Sequence, residues 1–159
     1  MAVYVFEVYV DELEDVFRYI EVESNTTFEV LHKTIVDSFS IKGKKEAVFF
    51  ESNRRWQKLR EISLDGESTM ENAIDGVETA IEVLPANGSS YLIYFNENLP
   101  KLNFLIQLNE VDVEDGATYP RVTKKQGVAK ALDKFKDNII EELNLYDNNL
   151  DDEFGYDDF

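Results

Sequence analysis

The sequence predicts a single α+β domain: a mixed or antiparallel sheet with a ββα opening, a late β-hairpin and a C-terminal helix. Three observations lead there. Short apolar runs of period two, bounded by turn residues, recur along the chain, as strands require. Two stretches instead carry apolar residues at helical spacing. The length, 159 residues, suffices for one substantial core and is short for two.

Residues 3–10, VYVFEVYV, are rich in β-branched and aromatic side chains and read as the first strand. The acidic turn DELED leads to a second strand near 16–22, where Val16, Ile20 and Val22 keep the two-residue rhythm. Ser24, Asn25 and Thr26 break it. Thr26 and Glu29 have the spacing of a capping box, in which hydroxyl and carboxylate satisfy orphan amides of a first helical turn. Phe28, Leu31, Ile35 and Phe39 then give an apolar helix face over 27–39.

IKGKK (41–45) reads as a loop, AVFFE (47–51) as a short strand, Asn53 to Arg55 as a turn, and REISL (60–64) as its return. Ser68 with Glu71 predicts a short helix over 70–74. Further strands are expected at TAIEVL (79–84), YLIYF (91–95) and LNFLIQLNEV (102–111). The last two form the late hairpin around a turn at 96–100. In its second strand Leu102, Phe104, Ile106 and Leu108 alternate with Asn103, Gln107 and Asn109, which suits a sheet covered on one side. After a loop containing Tyr119-Pro120-Arg121, a helix is expected from Gln126 or Gly127, lined by Val128, Ala131, Leu132, Phe135, Ile139 and Leu143. The folded domain thus spans 1–143, and 144–159 form an acidic, aromatic tail.

Composition narrows the chemistry. With 19 Phe plus Tyr residues (11 and 8) the chain has material for a core. It has no cysteine, so disulfides, thiolate zinc sites and thiol nucleophiles are all excluded. The N-terminal residues show no basic signal region and no apolar run approaches a membrane span, which predicts a cytoplasmic protein without membrane attachment. The formal net charge of −17 repels phosphate backbones and anionic lipid, so generic nucleic-acid binding is not the expected role.

Several blocks carry a likeness. Phe17-Arg18-Tyr19-Ile20, the helix residues Thr27, Phe28, Leu31, His32 and Ile35, the segment FFESNRRWQKLREISL (49–64), the hairpin YLIYFNENLPKLNFLIQLNEV (91–111) and the acidic Phe- and Gly-containing tail together resemble the plasmid pRiA4b ORF-3-like family. Its members are also described as insertion-sequence passenger proteins, and the short versions of Bacteroidetes-type bacteria fit best. The resemblance implies the α+β fold and carries no established activity. Typical members have a Tyr-Asp-Phe-Gly-Asp-x-Trp run in the late hairpin. Here Tyr94-Phe95-Asn96-Glu97-Asn98-Leu99 lacks both its Asp-Gly-Asp core and its tryptophan, removing the acidic turn that a linked activity would use.

No catalytic residue, cofactor or metal site is assigned. His32 is the lone histidine, off the centre of the apolar stripe, and reads as a helix-edge residue bonded to a strand or to solvent. No G-x-S-x-G elbow or phosphate-cradling glycine loop occurs. Asp147, Asn149 and Asp151 have calcium-loop spacing, but Asp152 stands where glycine and Asp158 where glutamate belong.

The charge, however, is segregated. Over 42–60, Lys42, Lys44, Lys45, Arg54, Arg55, Lys58 and Arg60 face only Glu46 and Glu51, so seven bases minus two acids leave +5 around Trp56. Residues 146–159 hold six acids and no base, with Phe154, Tyr156, Asp157, Asp158 and Phe159 near the end. This combination predicts a non-enzymatic protein-interaction module. Its acidic tail either docks on the chain's own basic surface at Lys44, Lys45, Arg54, Arg55, Trp56 and Lys58 or engages another protein. One alternative is a nucleic-acid-associated, mobile-element-linked module in which the tail mimics phosphate. A second is a carboxylate- or metal-dependent enzyme of unrecognised type.

Overall fold

The computed structural model describes residues 1–66, 71–86, 90–127 and 129–135. They form one domain, mostly sheet with a single α-helix. β1 (Ala2–Val10), β2 (Leu13–Glu23), α1 (Phe28–Phe39), β3 (Ala47–Ser52), β4 (Lys58–Ser63), β5 (Ile74–Asp75), β6 (Tyr91–Asn96), β7 (Phe104–Val113) and β8 (Arg121–Gln126) follow in order. The eight strands build one mixed sheet in the order β5-β4-β3-β6-β7-β1-β2-β8. Only the β4–β5 pairing is parallel.

α1 lies on one face of this sheet. Phe28, Leu31, Ile35 and Phe39, spaced by three, four and four, are all buried. Each contributes about 2 kcal/mol by leaving water. Phe28 packs on Phe49 of β3 and Phe39 on Phe104 of β7, with ring centroids 5.9 and 5.1 Å apart. Tyr4, Phe6, Val8, Ile20, Val22, Ile62, Leu92 and Ile106 complete this covered side with Ile81, Leu84 and Leu132 from outside the strands. The helix cap falls one residue later than the sequence predicts. Thr27 is the N-cap and its hydroxyl accepts from Val30 N at 3.4 Å, while the Thr26 carbonyl accepts Ile81 N at 2.7 Å. At the other end Ser40 turns left-handed (φ +53°) and Ile41 N–H returns to Val36 O at 3.0 Å.

Three predicted elements differ. TAIEVL (79–84) is no ladder strand: Ala80 makes one isolated bridge with Thr27, and Ile81–Val83 form a 3-10 turn. Ile81 and Leu84, three residues apart, both reach the core in that geometry. The stretch expected as a loop before Gln126 contains β8, which occupies the otherwise free edge of β2. Its sequence, RVTKKQ, is polar, and tertiary pairing overrides propensity. Gly127 (φ +83°) ends β8 against Val16, where a Cβ would collide. Residues 129–135 are then 3-10 and Leu132 is buried; the rest of the expected C-terminal helix, the 67–70 part of the short helix and the whole tail lie outside the described residues. Glu71 is in a turn and Ile74 in β5. Among the described residues no helix is long and apolar enough to cross a membrane.

One charge is buried on the covered face. Arg18, 3% exposed, donates from Nε to Ser38 O (3.0 Å) and from Nη1 to Phe17 O and Gln126 O (both 2.8 Å), with its guanidinium 4.5 Å above the Phe39 ring. Its partners among the described residues are carbonyls, and the carbonyl-rich C-terminal end of α1 supplies the compensating field. Burial pulls its pKa below the usual arginine range. Arg18 therefore pins α1 to β2 and β8. Replacing Arg18 by Met is expected to lower unfolding stability in urea by about 3 kcal/mol; a change below about 1 kcal/mol would show that the guanidinium contributes only packing.

Candidate functional site

Residues facing each other across a strand pair share a sheet face, which identifies what lies opposite α1. Tyr9 pairs with Phe17 on one side and Leu105 on the other; Leu105 pairs with Ile93, and Ile93 with Phe50. Tyr91 pairs with Gln107, which pairs with Glu7. This second face thus carries Phe50, Tyr91, Tyr9, Phe17 and Tyr19, all half-buried, above a buried Ile93.

Trp56 is folded onto the same surface. Its ring meets Tyr9 at 6.0 Å and Tyr91 at 5.3 Å, both edge-to-face, a geometry contributing about 1 kcal/mol per pair. The β3–β4 turn thus covers part of this face, and Tyr119 from the loop before β8 meets it elsewhere, its ring 5.1 Å from the guanidinium of Arg121, the partner of Glu21. Asn53 builds the turn. Its Oδ1 accepts from Arg55 N (2.9 Å) and Gln57 N (3.3 Å), its Nδ2 donates to Gln57 Oε1 (2.7 Å), and its carbonyl accepts Trp56 N (2.9 Å). Trp56 holds φ +60°, which costs about 1 kcal/mol for a residue with a Cβ. The ring contacts and the Asn53 bonds hold that strain.

Cations surround the rings. Lys58 Nζ lies 4.8 Å above Phe50, and Lys124 Nζ sits 5.6 Å from both Phe17 and Tyr19. Arg54 and Arg55 are exposed at the turn. Burial, with Glu7 nearby, raises the Tyr9 phenol pKa. A recess of about 210 Å³ opens beside Tyr91, among Leu59, Leu84, Pro85, Ser90 and Glu51. Leu59 at its rim is exposed.

The basic residues of 42–60 are not one ledge. Lys44 and Lys45 lie before β3 and Arg54, Arg55, Trp56 and Lys58 after it, so six strand residues, about 20 Å, divide them. Arg60 is neutralised by a bidentate pair with Glu51, at 2.8 and 3.1 Å. Lys45 N instead joins Asn98 Oδ1 at 3.3 Å, far from Trp56 along β3. Phe154, Tyr156, Asp157, Asp158 and Phe159, like the calcium-like spacing from Asp147, lie outside the described residues. Among the described residues no group of three or more His, Asp or Glu is placed to hold a metal ion.

Over β1, β2 and β7 the open face is acidic beyond Glu7. Val3 is flanked by Glu23 and Asp112, and Val5 by Glu21 and Glu110. Glu23 hydrogen-bonds Glu114, and Glu110 bonds Asp112, which raises the pKa of Glu23 and of Glu110. Arg121 meets Glu21 at 2.8 Å and Asp115 at 3.2 Å. The β3–β4 turn follows Ser52, which is level with Tyr91, Gln107 and Glu7, so its cations stand at the same end of the strands as these carboxylates, on different strands. Tyr9, Tyr91, Phe50, Phe17, Tyr19 and Lys124 escaped the sequence reading. Their signal is the presence of apolar residues at both parities in β1 and β2, which means that both faces of those strands are apolar.

His32 occupies a different place, under the covered face. The fully buried Tyr94 hydroxyl shares a hydrogen bond with His32 Nδ1 at 2.7 Å and accepts from Asn96 Nδ2 at 3.0 Å. Asn96 Oδ1 accepts from Asn98 N and Nδ2 (2.9 and 2.8 Å), and Gly43 (φ +113°) leaves room for Asn98 where a Cβ would collide. The chain ties α1 to the hairpin turn and to the loop before β3, a structural job. Burial raises the Tyr94 pKa and lowers that of His32. Protons therefore bind the unfolded imidazole more readily: the stability linked to His32 is complete above about pH 6.5 and is lost as pH falls through the lower folded-state value. The single imidazole Hε1 signal followed by NMR is expected to titrate with a midpoint below the ordinary 6.5; a midpoint at or above it would contradict the buried neutral assignment.

No family model matches the chain, and no curated protein matches it either. In fold it is similar to a protein of unknown function from Methanosarcina mazei Go1, whose crystal structure superposes with a TM-score of 0.66 at 18% identity, covering 98% of this chain and 95% of that one.

Proposed function

We propose that the chain is a cytoplasmic, non-enzymatic interaction module of the pRiA4b ORF-3-like kind that binds acidic, aromatic peptide on its open sheet face at Trp56. The carrying observation is the ring cluster of Trp56, Tyr9 and Tyr91 with Lys58 and two exposed arginines at its margin. Aromatic side chains of a peptide stack on these rings while its carboxylates meet Arg54, Arg55 and Lys58. Residues 146–159 of this chain, with six acids and no base, have that chemistry. The docking surface is then narrower than the whole of 42–60: Lys44 and Lys45 stand apart from it.

The family likeness belongs to this reading. What supports it is that its residues have clear structural tasks: Arg18 pins the helix end, Phe28, Leu31 and Ile35 fill the core, and His32 bonds Tyr94.

The lone tryptophan makes the test direct. A version ending at Leu143 is titrated with a synthetic peptide of residues 144–159, following Trp56 emission. A saturable change is expected, weakening as salt rises and lost in the Arg54→Glu, Arg55→Glu variant. An unresponsive Trp56 refutes the reading, and saturable binding of oligothymidine in preference to the peptide would assign the surface to single-stranded nucleic acid instead.

A further inference from the structure

Resting on the reading above, we infer that Lys124 is a second anchor for the peptide ligand, which lies across the strands from Lys58 to Lys124. The surface then selects two carboxylates six residues apart, with aromatic side chains between them. Strand pairing supplies the lane. Phe50, Ile93, Leu105, Tyr9 and Phe17 stand opposite one another in turn on β3, β6, β7, β1 and β2, an uncharged row running across the sheet.

A lysine stands at each end of this row. Lys58 Nζ lies 4.8 Å above Phe50, and Lys124 Nζ lies 5.6 Å from both Phe17 and Tyr19. The two lysines are level with each other, because Lys58 pairs with Ser52 and Lys124 with Tyr19, the two ends of the next row through Tyr91, Gln107 and Glu7. Both are exposed, and among the described residues neither is in an ion pair. Arg121 on the same strand as Lys124 is instead held by Glu21 and Asp115. Between the lysines stands Glu7, with Glu21 and Glu110 beyond it. A ligand carboxylate is therefore repelled from the middle of the lane and attracted at its two ends.

The spacing of the anchors fixes the pattern of the ligand. From β3 to β2 the sheet takes four steps, through β6, β7 and β1, so at about 4.8 Å per strand the two ammonium groups are about 19 Å apart. An extended peptide advances about 3.3 Å per residue, so about six residues cover that span. Side chains alternate along such a peptide, and those at i, i+2, i+4 and i+6 all face the sheet. Trp56 marks the centre of the lane: it touches Tyr91 on β6 and Tyr9 on β1, the two neighbours of β7. Aromatic side chains at i+2 and i+4, about 7 and 13 Å along, arrive on either side of its indole. The ligand class is an extended peptide of the form acid-x-aromatic-x-aromatic-x-acid.

A synthetic peptide of residues 144–159, supplied in trans, carries that form at Asp152, Phe154, Tyr156 and Asp158 and is the probe. Two derivatives of equal net charge are compared. In one, Asp152→Asn and Asp158→Asn remove the carboxylates facing the sheet; in the other, Asp151→Asn and Asp157→Asn remove two that face away. Each is titrated into the full chain and into the version ending at Leu143, following Trp56 emission, and the ranking is read in whichever protein binds. The first derivative is expected to bind about fivefold more weakly than the second, a gap that narrows to about twofold in Lys124→Gln. Equal affinities of the two derivatives, or a gap that Lys124→Gln leaves unchanged, overturn the inference and leave the peptide-binding reading intact. If no peptide moves Trp56 emission in either protein, both fail.

Discussion

One helix cannot cover eight strands. Neighbouring strands lie about 4.8 Å apart, so this sheet is about 34 Å across, whereas a helix with its side chains is about 10 to 12 Å wide. α1 therefore fills only the middle of one face, between Phe49 and Phe104. The rest of that face is closed by Ile41, Ile81, Leu84, Leu99, Leu102 and Leu132 from connections and the 3-10 segments. Nothing comparable covers the opposite face among the described residues. The same constraint that fixes the core thus leaves a row of aromatic rings partly open, and the functional reading follows from that imbalance.

The polar residues of the covered face hold the single helix in place. Arg18 links its C-terminal carbonyls to β2 and β8, and His32 links its middle through Tyr94 and Asn96 to the β6–β7 turn. Both are satisfied by neutral partners, so neither needs a ligand to explain its burial. This bears on the hairpin turn that lacks an Asp-Gly-Asp core. In this chain Asn96 and Asn98 spend their hydrogen bonds on the turn itself, on Tyr94 and on Lys45 N, which is a role in folding and not in binding.

The regular elements were legible where one force dominated. The helix stripe from Phe28 to Phe39 and the alternation of Leu102, Phe104, Ile106 and Leu108 both report burial on one side, and both segments are regular in the structure. β8 was not legible, because RVTKKQ acquires its strand from the free edge of β2 rather than from its own pattern. TAIEVL misled because Ile81 and Leu84 satisfy a 3-10 turn as well as a strand. Of the candidate surface, Arg54, Arg55, Trp56 and Lys58 were visible as an interleaved basic and aromatic run. Their ring partners Tyr9 and Tyr91 were not, since each comes from a strand distant in sequence. Lys44 and Lys45 were grouped with them by sequence proximity that β3 undoes.

The open face combines charge with a place to dock: carboxylates flank Val3 and Val5 on β1, β2 and β7, and Arg54, Arg55 and Lys58 stand exposed beside Trp56 on the β3–β4 hairpin. Exposed cations beside rings favour ligands that carry both carboxylates and aromatic side chains. The absence of native cysteine gives the most direct measurement. A nitroxide attached to Gly155→Cys in a synthetic peptide of residues 144–159 should, on addition to the version ending at Leu143, broaden the indole N–H signal of Trp56 and the amides of Tyr9 and Tyr91. Broadening confined to α1 and the hairpin turn, or none at all on the open face, would contradict the account.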